Sequence, residues 1–323
     1  MSQNNHQLPA LETLAGIINA HFPNAKGRIV FTPITTGKFN TSFFVDVGLE
    51  QVVLRLAPPR DAIFVFYEKD MMRQEQEVQG LVRARTDAPV AAVLAFDDSH
   101  DHIERDYILM ERLPGRPWTE MPHVNQERVL AQMGQYLAQV HRIEADNYGY
   151  LGAHRPMEPQ ANWLDAFQVM WHKMIEDVAA VGYYDQEECV LLRRLLSDHL
   201  SLFDRHVPAS LLHMDIWHQN ILVDDAGTIT GVVDWDRALW GDPEIEFAVL
   251  DYCGISRPAF WEGYGQPRDE SPAAQVRQVF YLLYELQKYI VIYDGRNGEP
   301  GRARQKKQQV WDVVRRSFGR REK

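Results

Sequence analysis

The sequence has few cysteines and no long uninterrupted hydrophobic run. Only Cys189 and Cys253 occur among its 323 residues, and their separation fits neither a metal-binding motif nor a redox motif. Two isolated thiols are typical of buried, reduced side chains in a cytoplasmic protein, which is the location that we expect. No window approaches the roughly 18 consecutive apolar residues of a transmembrane helix. Residues 1–7 also lack the basic start and the apolar core of a signal peptide.

Positive charge is scarce outside one end of the chain. The net charge is −11, yet residues 302–323 carry nine basic and two acidic side chains, which leaves about −18 for the remainder. An acidic body argues against nucleic-acid binding and favours a cationic partner. The basic end includes an amphipathic pattern at 310–318, which predicts a final helix with a solvated basic face. We therefore expect neither a nucleic acid nor a membrane as a partner, and no sequence feature indicates an oligomeric state.

A β-hairpin is predicted in the second half of the chain. The apolar run 221–223 and the β-branched run 228–233 flank a turn sequence at 224–227. Because the arms of a hairpin run antiparallel, Asn220 before the first arm should lie close to Asp234 after the second. Two oxygen ligands that are distant in the sequence would then face the same point.

The polar residues around this hairpin form a phosphoryl-transfer motif. His213, Asp215 and Asn220 follow the pattern H-x-D-x-x-x-x-N, in which the Asp accepts a proton from the attacking hydroxyl and the Asn binds Mg²⁺. Asp234 is suited to hold Mg²⁺ against nucleotide phosphates, because this ion prefers oxygen ligands and keeps phosphate in its shell. Asp236 is a candidate for a further metal contact. An isolated H-x-D usually caps a turn, so the prediction depends on all these residues at these separations.

A further motif, Gly241-Asp242-Pro243, follows Asp234 by seven residues. In this motif and in those described above, the chain resembles the aminoglycoside phosphotransferase and choline kinase superfamily. These are the small-molecule relatives of protein kinases, and the resemblance extends from about residue 30 to about residue 295. One departure is Met214, which stands where the family usually has Gly. In the family, the acidic segment that begins at Asp242 braces the catalytic loop by hydrogen bonds.

The resemblance implies an α+β, bilobal, protein-kinase-like fold. A β-rich, nucleotide-binding lobe would occupy residues 1–113, with its core over 28–113, and a larger helical lobe with the catalytic loop and the substrate site would occupy 114–323. Apolar residues that recur every three or four positions agree with this division of the chain. They predict helices over 125–141, 163–181, 186–205 and 279–292.

The amino-terminal lobe offers candidate nucleotide ligands. Gly37, Lys38 and Asn40 lie in a short loop between two predicted strands, where backbone N–H groups can approach phosphate oxygens. Arg55, in the strand predicted over 52–56, stands where a kinase carries its phosphate-contacting Lys. A guanidinium can bind the α- and β-phosphates through two parallel hydrogen bonds and keeps its charge.

A kinase steadies that basic residue with a carboxylate on the following helix, and two candidates are present here. Glu75 shares a helical face with Val78 and Leu81, so we prefer it to Glu77 as the partner of Arg55.

The resemblance also implies where the adenine binds. The carbonyl of Glu111 and the N–H of Leu113 would hydrogen-bond the base, with Met110 guarding the pocket, and Pro114-Gly115 would begin the connection to the second lobe.

The sequence thus predicts an enzyme that uses ATP and Mg²⁺ to phosphorylate a hydroxyl of a small molecule. The acidic body favours a cationic acceptor, such as an aminoglycoside-like compound, an amino sugar or an amino alcohol. Homoserine, choline or a sugar remain alternatives, as does a non-catalytic kinase-like module that only binds nucleotide. A protein acceptor is disfavoured, because no D-F-G…A-P-E pair bounds an activation loop.

Overall fold

The computed structural model describes residues 8–25, 27–37 and 39–319, which form an α+β architecture. The α-helices are α1 Leu11–His21, α2 Met72–Arg85, α3 Gln126–Val140, α4 Trp163–Ala180, α5 Gln186–Ser197, α6 Pro243–Tyr252, α7 Pro258–Tyr264, α8 Pro272–Val291 and α9 Pro300–Phe318. The strands are β1 Ile29–Ile34, β2 Thr41–Val47, β3 Glu50–Leu56, β4 Val93–Asp97, β5 Tyr107–Glu111, β6 Arg116–Pro117, β7 Glu144–Ala145, β8 Ala209–Leu212, β9 Ile221–Val223, β10 Ile229–Val232 and β11 Leu239–Gly241.

A five-stranded antiparallel sheet, in the order β1-β2-β3-β5-β4, forms the first lobe. Alternate residues of a strand point to opposite faces, so Leu54 and Leu56 of β3 are buried on one side while Arg55 points to the other. The apolar face packs against α1, through Leu14 and Ile18. Helix α2 lies on the opposite face, so Arg55 projects from a central strand toward that helix.

The second lobe is mainly helical, with α8 at its centre. Many of its large buried side chains pack together in an aromatic cluster, in which Trp163, Phe167 and Tyr281 make ring contacts. Two small sheets, β10-β9-β6 and β11-β8-β7, line the side that faces the first lobe. This arrangement confirms the prediction of an α+β fold with a β-rich lobe followed by a helical one. None of the helices among the described residues is both long and apolar enough to cross a membrane.

Two helices begin earlier than the sequence periodicity predicts. The helix expected over 279–292 starts at Pro272, because the Ser271 side chain caps it by accepting the N–H of Ala274 and proline suits the first helical turn. The basic helix expected over 310–318 likewise begins at Pro300. Both extensions are amphipathic, and both pack against the core of the second lobe.

The motif Gly241-Asp242-Pro243 has a structural explanation. A side chain on Gly241 would approach the Trp163 ring to 2.2 Å, so only glycine fits against that ring. Asp242 caps α6 by accepting the N–H of Glu244, and Pro243 occupies the first position of that helix. The motif therefore sets the start and the direction of α6.

The connection between β3 and α2 crosses to the helical lobe. Val65 and Tyr67 are buried in the core of that lobe, and the Phe66 N–H donates to Asp177 Oδ2 at 2.7 Å. Burial raises the pKa of Asp177 to about 7, although the bond from Phe66 lowers it; the nearby Glu68 carboxylate raises it further. The folded protein thus binds a proton at this contact between the lobes more tightly than the unfolded chain does.

We expect the contribution of Asp177 to the free energy of unfolding to fall as the pH rises from about 4 to about 7, because the folded state binds the Asp177 proton more tightly than the unfolded state does over that range. Asp177→Asn keeps an acceptor for Phe66 but removes the titration, so its stability relative to wild type should rise with pH over that range. Urea unfolding at several pH values measures this slope. The exposed Asp198→Asn is the control, and equal slopes for wild type and Asp177→Asn would contradict the prediction.

Candidate active site

His213 ties the catalytic loop to the end of the β9–β10 hairpin. Its Nδ1 accepts the N–H of Asp215 at 3.2 Å, and its Nε2 lies 3.1 Å from the Val233 carbonyl. A backbone N–H can only donate and a carbonyl can only accept, so the ring is the neutral Nε2–H tautomer. Burial lowers the pKa of His213, which agrees with this neutral form. The ring also packs against Trp235 at a centroid distance of 4.3 Å.

Met214 has a left-handed backbone, with φ of 66°. This conformation is favourable for glycine and costs other residues about 1–2 kcal/mol, which accounts for the glycine usual at this position. Here the side chain is fully buried in the helical core, and burying a methionine contributes about 1.5–3 kcal/mol. Burial therefore offsets the strain.

The backbone of Met214 is also held from two sides. Its N–H donates to Glu246 Oε1 at 2.5 Å, and its carbonyl accepts from Arg237 Nη1 at 2.6 Å. His141, at the end of α3, bonds the other oxygen of Glu246 at 2.7 Å. Burial raises the pKa of Glu246, but the bonds from His141 and Met214 more than reverse this and leave it below the usual value. The loop is thus braced by an ionised carboxylate.

Asp215 and Asn220 are in direct contact. Asn220 Nδ2 donates to both the carbonyl and the Oδ2 of Asp215, at 2.9 and 3.0 Å. The backbone carbonyl of Asn220 also accepts the N–H of Val233 at 3.0 Å, which places the residue before Asp234 beside Asn220, as the hairpin prediction requires. Because the side-chain N–H groups of Asn220 face Asp215, its amide oxygen is the atom that can act as a ligand.

The electrostatic surroundings of Asp215 suit a proton acceptor. Burial raises the pKa of Asp215, Lys288 and Arg237 lower it, and the charge of Asp234 raises it. The net shift is upward, and a base whose pKa is moved toward the working pH transfers protons more effectively.

Arg55 connects three carboxylates from different parts of the chain. Its Nη1 lies 2.5 Å from Glu75 Oε1, and its Nη2 lies 2.5 Å from Asp234 Oδ1 and 3.1 Å from Asp236 Oδ2. Gln79 donates a further hydrogen bond to Glu75 at 2.7 Å. Glu77 is exposed on the outer face of α2, so Glu75 is the carboxylate that the structure pairs with Arg55.

This cluster carries more negative than positive charge. Burial raises the pKa of Asp236 well above its usual range, and the charge of Asp234 raises it further in spite of Arg55. Burial also raises the pKa of Glu75. Burial lowers the pKa of Arg55, but the three carboxylates more than reverse that effect and keep the guanidinium charged. An additional cation beside these carboxylates would therefore be bound favourably.

The donor set fits Mg²⁺ in the company of a nucleotide. The Asp234 side chain is 36% exposed, with φ of 73°, and Asn220 offers its amide oxygen. Across the described residues no group of three or more His, Cys, Asp and Glu side chains is arranged to hold a metal by itself. Mg²⁺ usually takes one or two protein oxygens and completes its shell with phosphate and water. Asp234 and Asn220 would supply those protein oxygens.

The loop between β1 and β2 reaches the same cluster. Asn40 Nδ2 donates to Asp236 Oδ2 at 3.0 Å, so Asn40 lies beside the carboxylates. Gly37 lies in this loop, and a side chain there would make an ordinary contact with the Asn40 carbonyl at 3.5 Å. The remaining predicted loop ligand, Lys38, lies outside the described residues.

The residues predicted to bind adenine lie where β5 leaves the sheet. Met110 is buried, and Glu111 closes β5 with its N–H donating to the Ala92 carbonyl at 2.9 Å. Leu113 follows, and its Cδ1 would be 2.9 Å from a side chain at Gly231 on β10. The structure thus brings Leu113, the last of these residues, to the hairpin that carries the predicted catalytic motif.

The connection between the lobes runs closely over that hairpin. Gly115 has φ of 93°, and a side chain there would come within 2.2 Å of Thr230 Oγ1. Thr230 in turn donates to the Pro114 carbonyl at 2.7 Å.

Several residues of the site could not be recognised in the sequence. Arg237 directly follows the D-W-D motif and, besides Met214, binds Glu285 Oε2 at 2.7 Å. Gln74 donates to the Asp236 carbonyl at 2.6 Å from α2. One feature of the sequence could have indicated a buried cation such as Arg237. Glu285 is a charged residue inside the apolar run of α8, and a buried carboxylate requires a cation.

This chain is similar to known phosphotransferases and kinases. The model of a family described as "Phosphotransferase enzyme family" matches residues 30–276. A "probable ketoamine kinase" of Vibrio parahaemolyticus is 25% identical over 203 residues, which are 58% of this chain and 64% of that protein. Another from Lactiplantibacillus plantarum is 23% identical, over 81% of this chain and 88% of that protein. The first of these alignments thus spans less than two thirds of the relative's length.

Solved structures with similar folds align with nearly the whole chain. A "putative fructosamine-3-kinase" from Haemophilus somnus has a TM-score of 0.67 at 18% identity, covering 93% of this chain and 97% of that one. The aminoglycoside phosphotransferase APH(4)-Ia, in a complex with AMP-PNP and hygromycin B, has a TM-score of 0.64 at 19% identity, covering 95% and 100%. These likenesses confirm the kinase-like fold. Since the family model matches most of the chain, this protein belongs to the phosphotransferase enzyme family.

Proposed function

We propose that this protein is a kinase that transfers the γ-phosphoryl group of ATP to a hydroxyl of a small molecule. The observation that carries the proposal is the convergence of Asp215, Asn220 and Asp234 with the Arg55–Glu75 pair in one cleft. Four separate segments of the chain supply these residues, so local turn formation does not explain their meeting.

The geometry supports the following roles. Asp215 orients the acceptor hydroxyl and takes its proton as the new oxygen–phosphorus bond forms, and the bond from γ-phosphorus to the bridging oxygen breaks to release ADP. Asn220 holds the Asp215 carboxylate in place. Mg²⁺, when bound by Asp234 and Asn220, would neutralise phosphate charge. Arg55 positions the α- and β-phosphates.

The nucleotide would lie between the lobes. Fold relatives solved with AMP-PNP or ADP support ATP as the phosphoryl donor. The loop residues Gly37, Lys38 and Asn40 would approach the phosphates. Adenine would bind beside Met110, through the Glu111 carbonyl and the Leu113 N–H.

The acceptor is not specified by the transfer machinery, because one architecture can serve many hydroxyl compounds. The names of the relatives support a ketoamine, and the acidic body of the chain supports a cationic amino sugar or amino alcohol. A module that only binds nucleotide would not need Asp215, which argues for catalysis. An ATP-consumption screen against ketoamines, amino sugars, amino alcohols and sugars tests the proposal, and turnover that no acceptor stimulates would contradict it.

Asp215→Asn should lower kcat by roughly 10²–10⁴-fold, the usual contribution of a general base, and leave the affinity for MgATP nearly unchanged. The measurement is steady-state kinetics with the best acceptor of the screen. Asp225→Asn, in the exposed turn of the same hairpin, is the matched control. More than about half of wild-type turnover in Asp215→Asn would remove this residue from its assigned role.

Asp234→Asn should weaken nucleotide binding only when Mg²⁺ is present, because the side chain would hold the ion rather than the proton. Asn is a better replacement than Ala here, since it tolerates a φ of 73°. Calorimetric titration of ADP with and without Mg²⁺ separates the two contributions. An unchanged Mg²⁺ dependence would show that Asp234 does not bind the ion.

Arg55→Ala should raise the KM for ATP and lower kcat, and Glu75→Gln should cause a milder form of the same defect. Because the two side chains act as a unit, the double variant should be little worse than Arg55→Ala alone. Arg55→Lys should recover only part of the activity, since an ammonium lacks the planar two-point grip. Glu77→Gln on the outer face of α2 is the control. Strictly additive losses would show that Arg55 and Glu75 are not coupled.

A further inference from the structure

Three tyrosines form a row on the helical-lobe side of the catalytic loop. Tyr252 ends α6, Tyr289 lies on α8, and Tyr293 lies in the turn after α8. Their ring centroids are 5.5 and 5.8 Å apart in that order, and all three side chains are partly exposed. We call them the tyrosine row.

A chain of ion pairs connects the tyrosine row to Asp215. Arg237, which holds the carbonyl of the residue before Asp215, binds Glu285 Oε2, and Lys288 binds the other oxygen of Glu285 at 2.5 Å. The Lys288 ammonium lies 4.5 Å from the centroid of the Tyr289 ring. The charge of Asp215 contributes to raising the pKa of Tyr289, after burial and Glu285. The row therefore lies near the proposed base, away from the Arg55 cluster.

Lys306 of α9 lies over the first two rings of this row, and its ammonium donates hydrogen bonds only to neutral groups. It lies 5.0 Å from the Tyr252 ring centroid and 5.4 Å from that of Tyr289. It donates to Tyr252 Oη at 2.7 Å and to Gln309 Oε1 at 3.0 Å. Within the part of the chain that the structure describes, no carboxylate lies within ion-pair distance of it.

Two neighbouring basic residues of α9, Arg302 and Lys307, do pair with carboxylates. Arg302 pairs with Glu299 at 3.0 Å, and Lys307 pairs with Glu188 at 2.7 Å. Burial lowers the pKa of Lys306, as does the charge of Arg302, while Glu285 raises it. An anion beside the Lys306 ammonium would offset the effects of burial and of Arg302 on its charged form.

We propose that the acceptor is a hydroxyl-bearing carboxylate, with its hydroxyl at Asp215 and its carboxylate on Lys306 across the tyrosine row. The inference rests on the proposed kinase function and specifies the substrate class of the same site. This substrate class differs from the cationic acceptor that the net charge suggests. The net charge is spread over the whole body of the protein, whereas the tyrosine row carries the ammonium of Lys306. A ketoamine built from an amino acid carries both hydroxyls and a carboxylate, so it belongs to this class.

The test compares matched acceptors at saturating MgATP. Each carboxylate is paired with a neutral analogue, gluconate with glucitol and N-(1-deoxyfructosyl)glycine with its carboxamide, and an aminoglycoside represents the cations. For each carboxylate that is phosphorylated, we expect kcat/KM to exceed that of its neutral analogue by about tenfold or more. A charge-assisted hydrogen bond contributes a difference of this order. This preference is a property of the wild-type protein and needs no variant.

Variants then test whether Lys306 causes the preference for carboxylates. Lys306→Gln should raise KM for the carboxylate of each pair by about tenfold, with KM for MgATP and the neutral analogue unchanged. Lys306→Arg should retain the preference. Arg304→Gln removes a positive charge from an exposed position two residues earlier on α9, on a different face of the helix, and should have no effect.

The outcomes separate the inference from the proposed function. Equal or better transfer to the neutral or cationic acceptors, or an equal loss for both members of a pair in Lys306→Gln, overturns the carboxylate inference and leaves the kinase established. Failure to phosphorylate any carboxylate, with ATP turnover that still depends on Asp215, also overturns only the inference. ATP turnover that no acceptor stimulates and that Asp215→Asn does not reduce overturns both.

Discussion

The site depends on a single guanidinium held among three carboxylates. Arg55 comes from the central strand of the sheet, Glu75 from α2, and Asp234 and Asp236 from the segment after β10. Arg55, Glu75 and Asp236 are buried, where an unpaired charge is costly, so the elements that carry them constrain one another. One set of ion pairs therefore sets the position of α2 and of the segment 234–236 relative to the sheet.

The catalytic loop is held mainly through its backbone. Glu246 and Arg237 bind the two polar groups of Met214, and His213 bonds both the Asp215 N–H and the Val233 carbonyl. Such contacts leave the Asp215 carboxylate to meet Asn220 and a substrate. Since phosphoryl transfer relies on positioning and charge neutralisation, a rigid backbone beneath the base serves the chemistry directly.

Charge is distributed unequally on the two sides of Asp215. The Arg55 cluster has an excess of carboxylates and suits a cation, whereas Lys306 on the other side has only neutral partners. A net charge of −11 does not reveal this difference, because local fields depend on which side chains face the cleft.

The sequence by itself determined the family and the α+β fold class and predicted a set of transfer residues, because all three depend on local motifs with characteristic spacing and periodicity. It also favoured Glu75 over Glu77 from helical geometry, and the structure brings Glu75 to Arg55. Helix α1 and the early start of α8 were decided by packing and capping, which short apolar patterns do not encode. Only the tertiary structure could place Lys306 over the tyrosine row, because that contact joins residues whose proximity depends on how α6, α8 and α9 pack.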